Sequence, residues 1–373
     1  MDGYNDEEIE STALRLVTPG EFKKVDIKHK LAENDVVVEP YLASVCHADL
    51  RYFTGNRRPE ALAEKLPMAL FHEGLGIVHK SRNSKFKVGD RVVIVPSIPG
   101  YVLNNTTKDN CCTHCREGGH PNYCLEGEFL GSGYDGAGQS KLVISGDNLV
   151  RVPDELSDDI AILAELCSVS VFAINLVKKL LNVIKDDKKI AVFGDGPVGY
   201  LTAATLHFIY EVPKEHLIVF GAVQEKLDEF ASFATTNLVH NYDFASARGV
   251  QIVFECTGGQ FSSSAINQAI DLIDREGNIV LMGVTEDLVP INTRDILEKG
   301  LTLQGSSRST TEDFEQLMEA FQNEAFQVVL KQLVPDDSWT IKTADDLAEA
   351  MTAASEYRGW KKTYLSFEWY NDE

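Results

Sequence analysis

Residues 188–206 read KKIAVFGDGPVGYLTAATL, and the order of residue types predicts a strand, a tight turn and a helix. Four apolar residues, Ile190 to Phe193, suit a buried strand. Gly194, Gly196 and Gly199 then fall at the G-x-G-x-x-G spacing, and an apolar helical run follows. Each glycine has a separate physical task. Gly194 permits the turn, Gly196 lets backbone approach a pyrophosphate, and Gly199 lets helix and strand pack closely. The helix opens at Pro197 and Val198, so its free N–H groups face the phosphates. The stretch predicts a dinucleotide site lined by Gly194, Gly196, Pro197, Val198 and Gly199.

Working outward, HLIVFG, VQIVFEC, NIVLMG and LTLQG follow as strand candidates with helical stretches between them. Strand and helix in alternation predict a parallel sheet covered on both faces, an α/β fold. Upstream the chain has another character. DVVVEPYLA, GIVHK, DRVVIVPS and KLVISG are short β-branched runs separated by Gly, Pro, Asp and Asn, and they predict a β-rich region. From Ile160 to about Ile184 the apolar residues recur at helical spacing, which predicts a linking helix. After the last parallel strand come a helix-like stretch, TTEDFEQLMEAFQNEAF, and a closing strand candidate, KKTYLSFEW. No internal repeat is visible.

A chain of 373 residues is long for a single core, so two domains are expected. The 35 Lys and Arg against 57 Asp and Glu give a formal net charge of −22. Such a surface repels phosphate backbones and anionic membranes, which argues against nucleic-acid and lipid partners. An anionic ligand therefore needs a local basic pocket. No apolar run approaches the ~20 residues that cross a bilayer. The first residues, MDGYNDEEIESTA, are acidic and polar, unlike a secretory signal or transit peptide, so a cytoplasmic setting is expected.

The strand after the glycine turn, in HLIVFGAVQEKL, ends at Gly221, where an NAD enzyme commonly places Asp or Glu against the ribose 2′-hydroxyl. With no carboxylate in that position, and with Lys226 or Arg248 as candidate phosphate ligands, the stretch predicts NADP(H).

Two groups of residues suit metals. Cys46 lies in SVCHADLRY, His72 and Glu73 in LFHEGLG, and Glu165 opens the linking helix. Any one of them alone reads as structural. Together, upstream of a dinucleotide fold, they suit a catalytic zinc held by thiolate, imidazole and carboxylate with one position open for water or substrate. Such a zinc polarises a carbonyl as a Lewis acid. Of seven cysteines, four fall within residues 111–124, in DNCCTHCREGGHPNYC. In a cytosolic chain that clustering reads as metal binding before disulfides. Cys112, Cys115 and Cys124 suit a structural zinc. A regular C-x2-C-x2-C series puts another ligand at Asp109, and Cys111, His114 and His120 are alternatives.

The combined order of Cys46, His72-Glu73, a cysteine lobe, Glu165 and GDGPVG resembles the zinc-containing medium-chain dehydrogenase/reductase superfamily over nearly the whole chain. Within it, ADLRYFTGNRRPEALAEKLPMALFHEGLG, GSGYDGAGQ, FGDGPVGYLTA, FECTGGQFSSSAINQAID and INTRDILEKGLTLQGSSRS look like the ribulose-5-phosphate reductases that make ribitol 5-phosphate for teichoic acid or capsule precursors. The resemblance implies a GroES-like catalytic domain over residues 1–160 and 308–373 around a Rossmann domain over 161–307. It also implies a homodimer or homotetramer, and a cytidylyltransferase acting in the same pathway. Two departures stand out. Ala48 and Arg51 occupy positions where alcohol dehydrogenases commonly carry a Ser or Thr relay and often a His. The proton must then come by another route, such as zinc-bound water with Glu73 or Glu165. The cysteine lobe is the second departure, because many of these reductases lack one.

Arg51, five residues after a zinc ligand, is expected near the substrate, where a guanidinium suits a phosphate bidentately. Arg57, Arg58 and Arg308 are candidates to complete that clamp. The reading is reduction of a small phosphorylated sugar, D-ribulose 5-phosphate, by NADPH. One alternative is a zinc dehydrogenase of an unphosphorylated polyol or alcohol. Another, of a different class, is a non-catalytic NADP(H)-binding protein, which the intact set of four zinc-site residues disfavours.

Overall fold

The structure, a computed structural model, describes residues 7–181 and 188–369. Contacts divide the chain into two compact units. One holds the described residues up to Glu165, with Ser309–Gln322 and the chain from Lys331 onward; the other holds Leu166–Arg308 and Asn323–Leu330.

The first unit is built mainly of strands β1 (Glu7–Thr18), β2 (Glu21–Leu31), β3 (Asp35–Ser44), β4 (Met68–Ala69), β5 (Glu73–Ser81), β6 (Arg91–Ile94), β7 (Ser97–Ile98), β8 (Glu128–Phe129), β9 (Leu142–Ser145) and β10 (Leu149–Arg151). Its largest sheet sets β10, β6, β5 and β3 side by side. Val36, Val38, Val78, Val92 and Ile94 on these strands are buried, as is Ile144 on β9, which pairs with β3. β1 and β2 form a long antiparallel hairpin whose polar, half-exposed strands give little hydrophobic signal in the sequence. The chain links to the other unit through the helix Ala164–Leu181. The long apolar run thus becomes a short helix, Asp158–Ala161, and then this one. Its expected end near Ile184 lies outside the described residues.

The second unit is an all-parallel six-stranded sheet among the described residues, in the order β13 (Thr235–Leu238), β12 (Leu217–Gly221), β11 (Lys189–Phe193), β14 (Val250–Glu255), β15 (Asn278–Leu281), β16 (Thr302–Gly305). Consecutive strands run outward from β11 on one side, and β14 restarts on the other. That switch point, at the carboxyl ends of β11 and β14, is where open α/β sheets bind ligands. β13, TTNL, escaped the sequence reading because it is polar and only half-buried.

The chain then returns to the first unit, where β17 (Trp339–Ile341) and β18 (Tyr364–Phe367) complete the large sheet, β18 lying antiparallel to β3. The return is not continuous, as the expected boundary at residue 308 assumed. The helix Glu324–Leu330 stays with the dinucleotide-type unit. Phe326 stacks on Phe208 with ring centroids 5.4 Å apart, and the Tyr200 hydroxyl donates to the Val329 carbonyl at 3.1 Å. Among the described residues no helix is long and apolar enough to cross a membrane.

Candidate active site

Cys46 sits at the N-terminus of the helix His47–Phe53, directly after β3. Its backbone N–H donates to Asp49 Oδ2 at 2.9 Å. The other oxygen of Asp49 accepts from the Phe71 N–H at 3.2 Å and lies 3.8 Å from His72 Nδ1. One fully buried carboxylate therefore holds the thiol-bearing turn and the imidazole-bearing segment together. The chain bends sharply at Phe71, in the left-handed region at φ 77°. Gly136 packs on that bend, and a Cβ there would lie 2.3 Å from the Phe71 carbonyl.

Glu73 opens β5 beside His72. Its Oε1 accepts from Lys362 Nζ at 3.0 Å, and Lys362 also donates to the Val45 carbonyl at 2.8 Å. Pairing of β18 with β3 brings this lysine in from the far end of the chain: the Val45 N–H donates to the Thr363 carbonyl at 2.9 Å. Glu73 Oε2 is buried and has no hydrogen-bond partner, a costly state for a carboxylate oxygen unless a cation or water meets it. The ligand atoms of Cys46, His72 and Glu73 all lie within 4.8 Å of one another. Glu165, in the first turn of its helix, is buried and stands outside that group.

The charges of the site are unbalanced. Burial pushes the Glu165 carboxyl up to about 8 and, together with the Glu73 charge, the Cys46 thiol up to about 12. Burial also raises Asp49. Burial works against a charged His72, but Asp49, Glu165 and Glu73 together raise it. Lys362, disfavoured as a cation by burial, is raised by Glu73 and Cys46. Three carboxyls and a thiol thus face one lysine. Sulfur, nitrogen and oxygen donors, an orphaned carboxylate oxygen and this crowding of buried acidic groups fit a zinc ion, whose charge would favour their ionised forms. Asp49 and Lys362, which position the donors, are absent from the sequence reading.

The second group is a buried cluster of Cys111, Cys112, Cys115 and Cys124. Cys124 Sγ lies 3.6 Å from Cys111 Sγ and 3.8 Å from Cys112 Sγ. Zinc–sulfur bonds of about 2.3 Å in a tetrahedron place sulfurs about 3.8 Å apart. The fourth member is Cys111, which corrects the expectation of Asp109. Asp109 is exposed in the single turn Lys108–Asn110, whereas Cys111 follows in extended backbone and is buried. His114 is engaged elsewhere, with its Nε2 3.1 Å from the His120 carbonyl. The backbone N–H of Cys115 brings the Cys112 thiol down to about 6, with further help from that of Leu125.

Among the expected phosphate ligands, Arg51 is half-buried on the helix His47–Phe53. Arg57 lies over the Tyr52 ring at 4.3 Å, and the Tyr52 hydroxyl meets Ser132 Oγ at 3.0 Å. Lys65, which sequence reasoning did not single out, donates to the same oxygen at 3.0 Å. Arg58 is exposed at the start of the helix Pro59–Lys65. Arg308 belongs to the other unit and has left-handed backbone, φ 62°.

In the parallel sheet, Gly194 turns at φ 126°, and a Cβ on Gly199 would lie 2.0 Å from the Gly194 carbonyl, so no other residue fits there. A Cβ on Gly196 would meet nothing within 4 Å. Pro197 and Val198 open the helix Pro197–Phe208. At the end of β12 the expected lack of a carboxylate is corrected: Asp195, from the glycine turn, accepts from the Ala222 and Val223 N–H groups at 2.7 and 2.9 Å. Lys226 lies in the following helix, Gln224–Asp228. Arg248 is at the opposite end of the sheet, just before β14, held by the Ala245 carbonyl at 2.8 Å, and is no ligand for this site.

Residues 32–154 match the model of the alcohol dehydrogenase GroES-like domain, and residues 216–323 that of the zinc-binding dehydrogenases. Ribulose-5-phosphate reductase 1 of Staphylococcus aureus is 36% identical over 357 residues, which is 95% of this chain and 98% of that protein. Ribulose-5-phosphate reductase of Bacillus spizizenii is 35% identical with the same coverage of both chains. The crystal structure of S. aureus TarJ in complex with NADPH matches with a TM-score of 0.79 and 33% identity, over 96% of this chain and 100% of that one.

Proposed function

This chain belongs to the zinc-containing medium-chain dehydrogenase/reductase superfamily, among the ribulose-5-phosphate reductases, and on that premise we propose that it reduces D-ribulose 5-phosphate to D-ribitol 5-phosphate with zinc and NADPH. The observation that carries the reading is the convergence of Cys46, His72 and an orphaned Glu73 oxygen.

Reduction adds a hydride to the carbonyl carbon and a proton to its oxygen. Bound by Cys46, His72 and Glu73, zinc supplies Lewis acidity to the carbonyl. The chain's own groups do the rest. Asp49 fixes the Cys46 turn and the backbone just before His72, and Lys362 fixes Glu73, so the donors are held before substrate arrives. Ala48 has no hydroxyl to relay a proton. Glu165, a buried acid outside the Cys46, His72 and Glu73 group whose charge interacts with all three, is the residue we assign to that role. Arg51 binds the substrate phosphate, with Arg57, Arg58 and Arg308 as further candidates. Gly194, Gly196 and Gly199, with Pro197 and Val198, form the turn over the pyrophosphate, and Gly221 and Lys226 border the adenosine ribose.

A cytoplasmic homodimer or homotetramer belongs to the same reading, as does a cytidylyltransferase that consumes the ribitol 5-phosphate. The test is NADPH oxidation by the zinc-loaded protein with ribulose 5-phosphate and with ribulose. Turnover at least about a hundredfold better on the phosphate is expected, a difference of about 2.7 kcal/mol. Equal turnover of the two would move the function to unphosphorylated polyols.

A further inference from the structure

At the end of β12 two neighbouring backbone donors, Ala222 N–H and Val223 N–H, point at one oxygen of Asp195. Asp195 is part of the glycine turn and lies between Gly194 and Gly196. In a sheet of this topology the end of the strand after the turn faces the adenosine ribose, where an acid pairs with a 2′-hydroxyl and a 2′-phosphate needs donors instead. Gly221 contributes no side chain there, and none would fit: a Cβ would meet Asp195 Cβ at 2.6 Å and Oδ2 at 2.8 Å. The bare glycine and the incoming carboxylate are thus one steric arrangement. An acid meets the end of β12 from the turn rather than from the strand.

We propose that Asp195 is a cofactor-discriminating residue, whose carboxylate occupies the N–H pair that the 2′-phosphate of NADPH uses. The inference rests on the NADPH reading above and refines it. NADPH displaces the carboxylate, because two anions cannot share the same two donors, and Lys226 supplies the nearby positive charge. The 2′-hydroxyl of NADH instead donates to the carboxylate where it stands. Asp195 therefore holds the preference for NADPH below the level that the two N–H groups and Lys226 would otherwise set.

The test is equilibrium binding of NADPH, NADH and 2′,5′-ADP to wild type, Asp195→Asn and Asp195→Ala by titration calorimetry, with thermal melting to establish that each variant is folded. Asn keeps an acceptor for the N–H groups and removes the charge, whereas Ala removes both. Both variants should bind NADPH and 2′,5′-ADP about five- to tenfold more tightly and NADH somewhat more weakly, shifting the NADPH/NADH ratio at least about tenfold. Variants that weaken NADPH, or that move both cofactors by the same factor, would make Asp195 a staple of the turn and overturn the proposal. A wild type that binds NADH alone would sink the NADPH reading separately. In that case a gain of NADPH binding in Asp195→Asn would still support the present inference, and no gain would overturn it.

Discussion

At the scale of single residues, the phosphate reading stands on Arg51. A charge-assisted bidentate contact contributes roughly 1.5–3 kcal/mol. Arg51→Ala should lower kcat/KM for ribulose 5-phosphate about ten- to several-hundredfold and spare residual activity on ribulose, and Lys should rescue only in part for want of the fork geometry. Steady-state kinetics on the two substrates decides it; equal losses on both would place Arg51 in support of the metal site. Titration supplies a second expectation. In the metal-free fold Glu165 sits at about 8, above its value of about 4.5 in an unfolded chain, so its contribution to stability is complete below the lower value and is lost as pH rises through the higher. Asp49 and His72, also raised, act in the same direction. Zinc-free protein should therefore melt lower at pH 8 than at pH 6, and Glu165→Gln should flatten most of that slope; a slope of unchanged size in the variant would remove Glu165 as its source. Cys46, His72 and Glu73, which the fold brings together, were legible in the sequence because each has a type and a place in the chain that suits a ligand; Glu165 was chosen on the same ground and stands outside that group. Asp49 and Lys362 were not, since an Asp in a first helical turn looks like an ordinary cap. A lysine has no signal at all when its partners, Glu73 and Val45, are 289 and 317 residues away.

At the scale of elements, the apolar strands of the parallel sheet could be read directly, since burial on both faces leaves near-continuous runs such as Ile190–Phe193. Strands that are polar or half-exposed could not, and β1, β2, β13 and β17 are of that kind. The cysteine lobe shows the same limit in another form. Counting at regular spacing pointed to Asp109, but an isolated turn exposes that side chain and buries its neighbour but one. Zinc analysis of purified protein should find about two ions per chain in wild type and in Asp109→Ala, and about one in Cys111→Ser. Loss of a zinc in Asp109→Ala would restore the original counting. The carboxylate of Asp195 escaped for a related reason: strand-end rules look along β12, and the group arrives from the turn before it.

At the scale of the whole molecule, the two units have separate cores, and both zinc candidates lie in one of them. Stripping the metal with a chelator should abolish turnover and lower the melting temperature of the first unit while leaving NADPH affinity within about threefold. Calorimetry with and without chelator, beside NADPH titration, checks this, and loss of NADPH binding on chelation would contradict it. The division has a further consequence, for synthesis. The Leu42–Ser44 stretch of β3 is paired by β18, and the ribosome makes the whole parallel-sheet unit before it makes that partner. At about 5–20 residues per second the 317 residues from Val45 to Lys362 occupy roughly 15–60 s. For that interval a nascent chain carries Cys46 and His72 beside an open strand edge, the kind of surface that recruits other chains. Molecules stalled or cut before Lys362 lack the strand that covers this edge, so a chain truncated there should sediment in a larger aggregated fraction than the full chain.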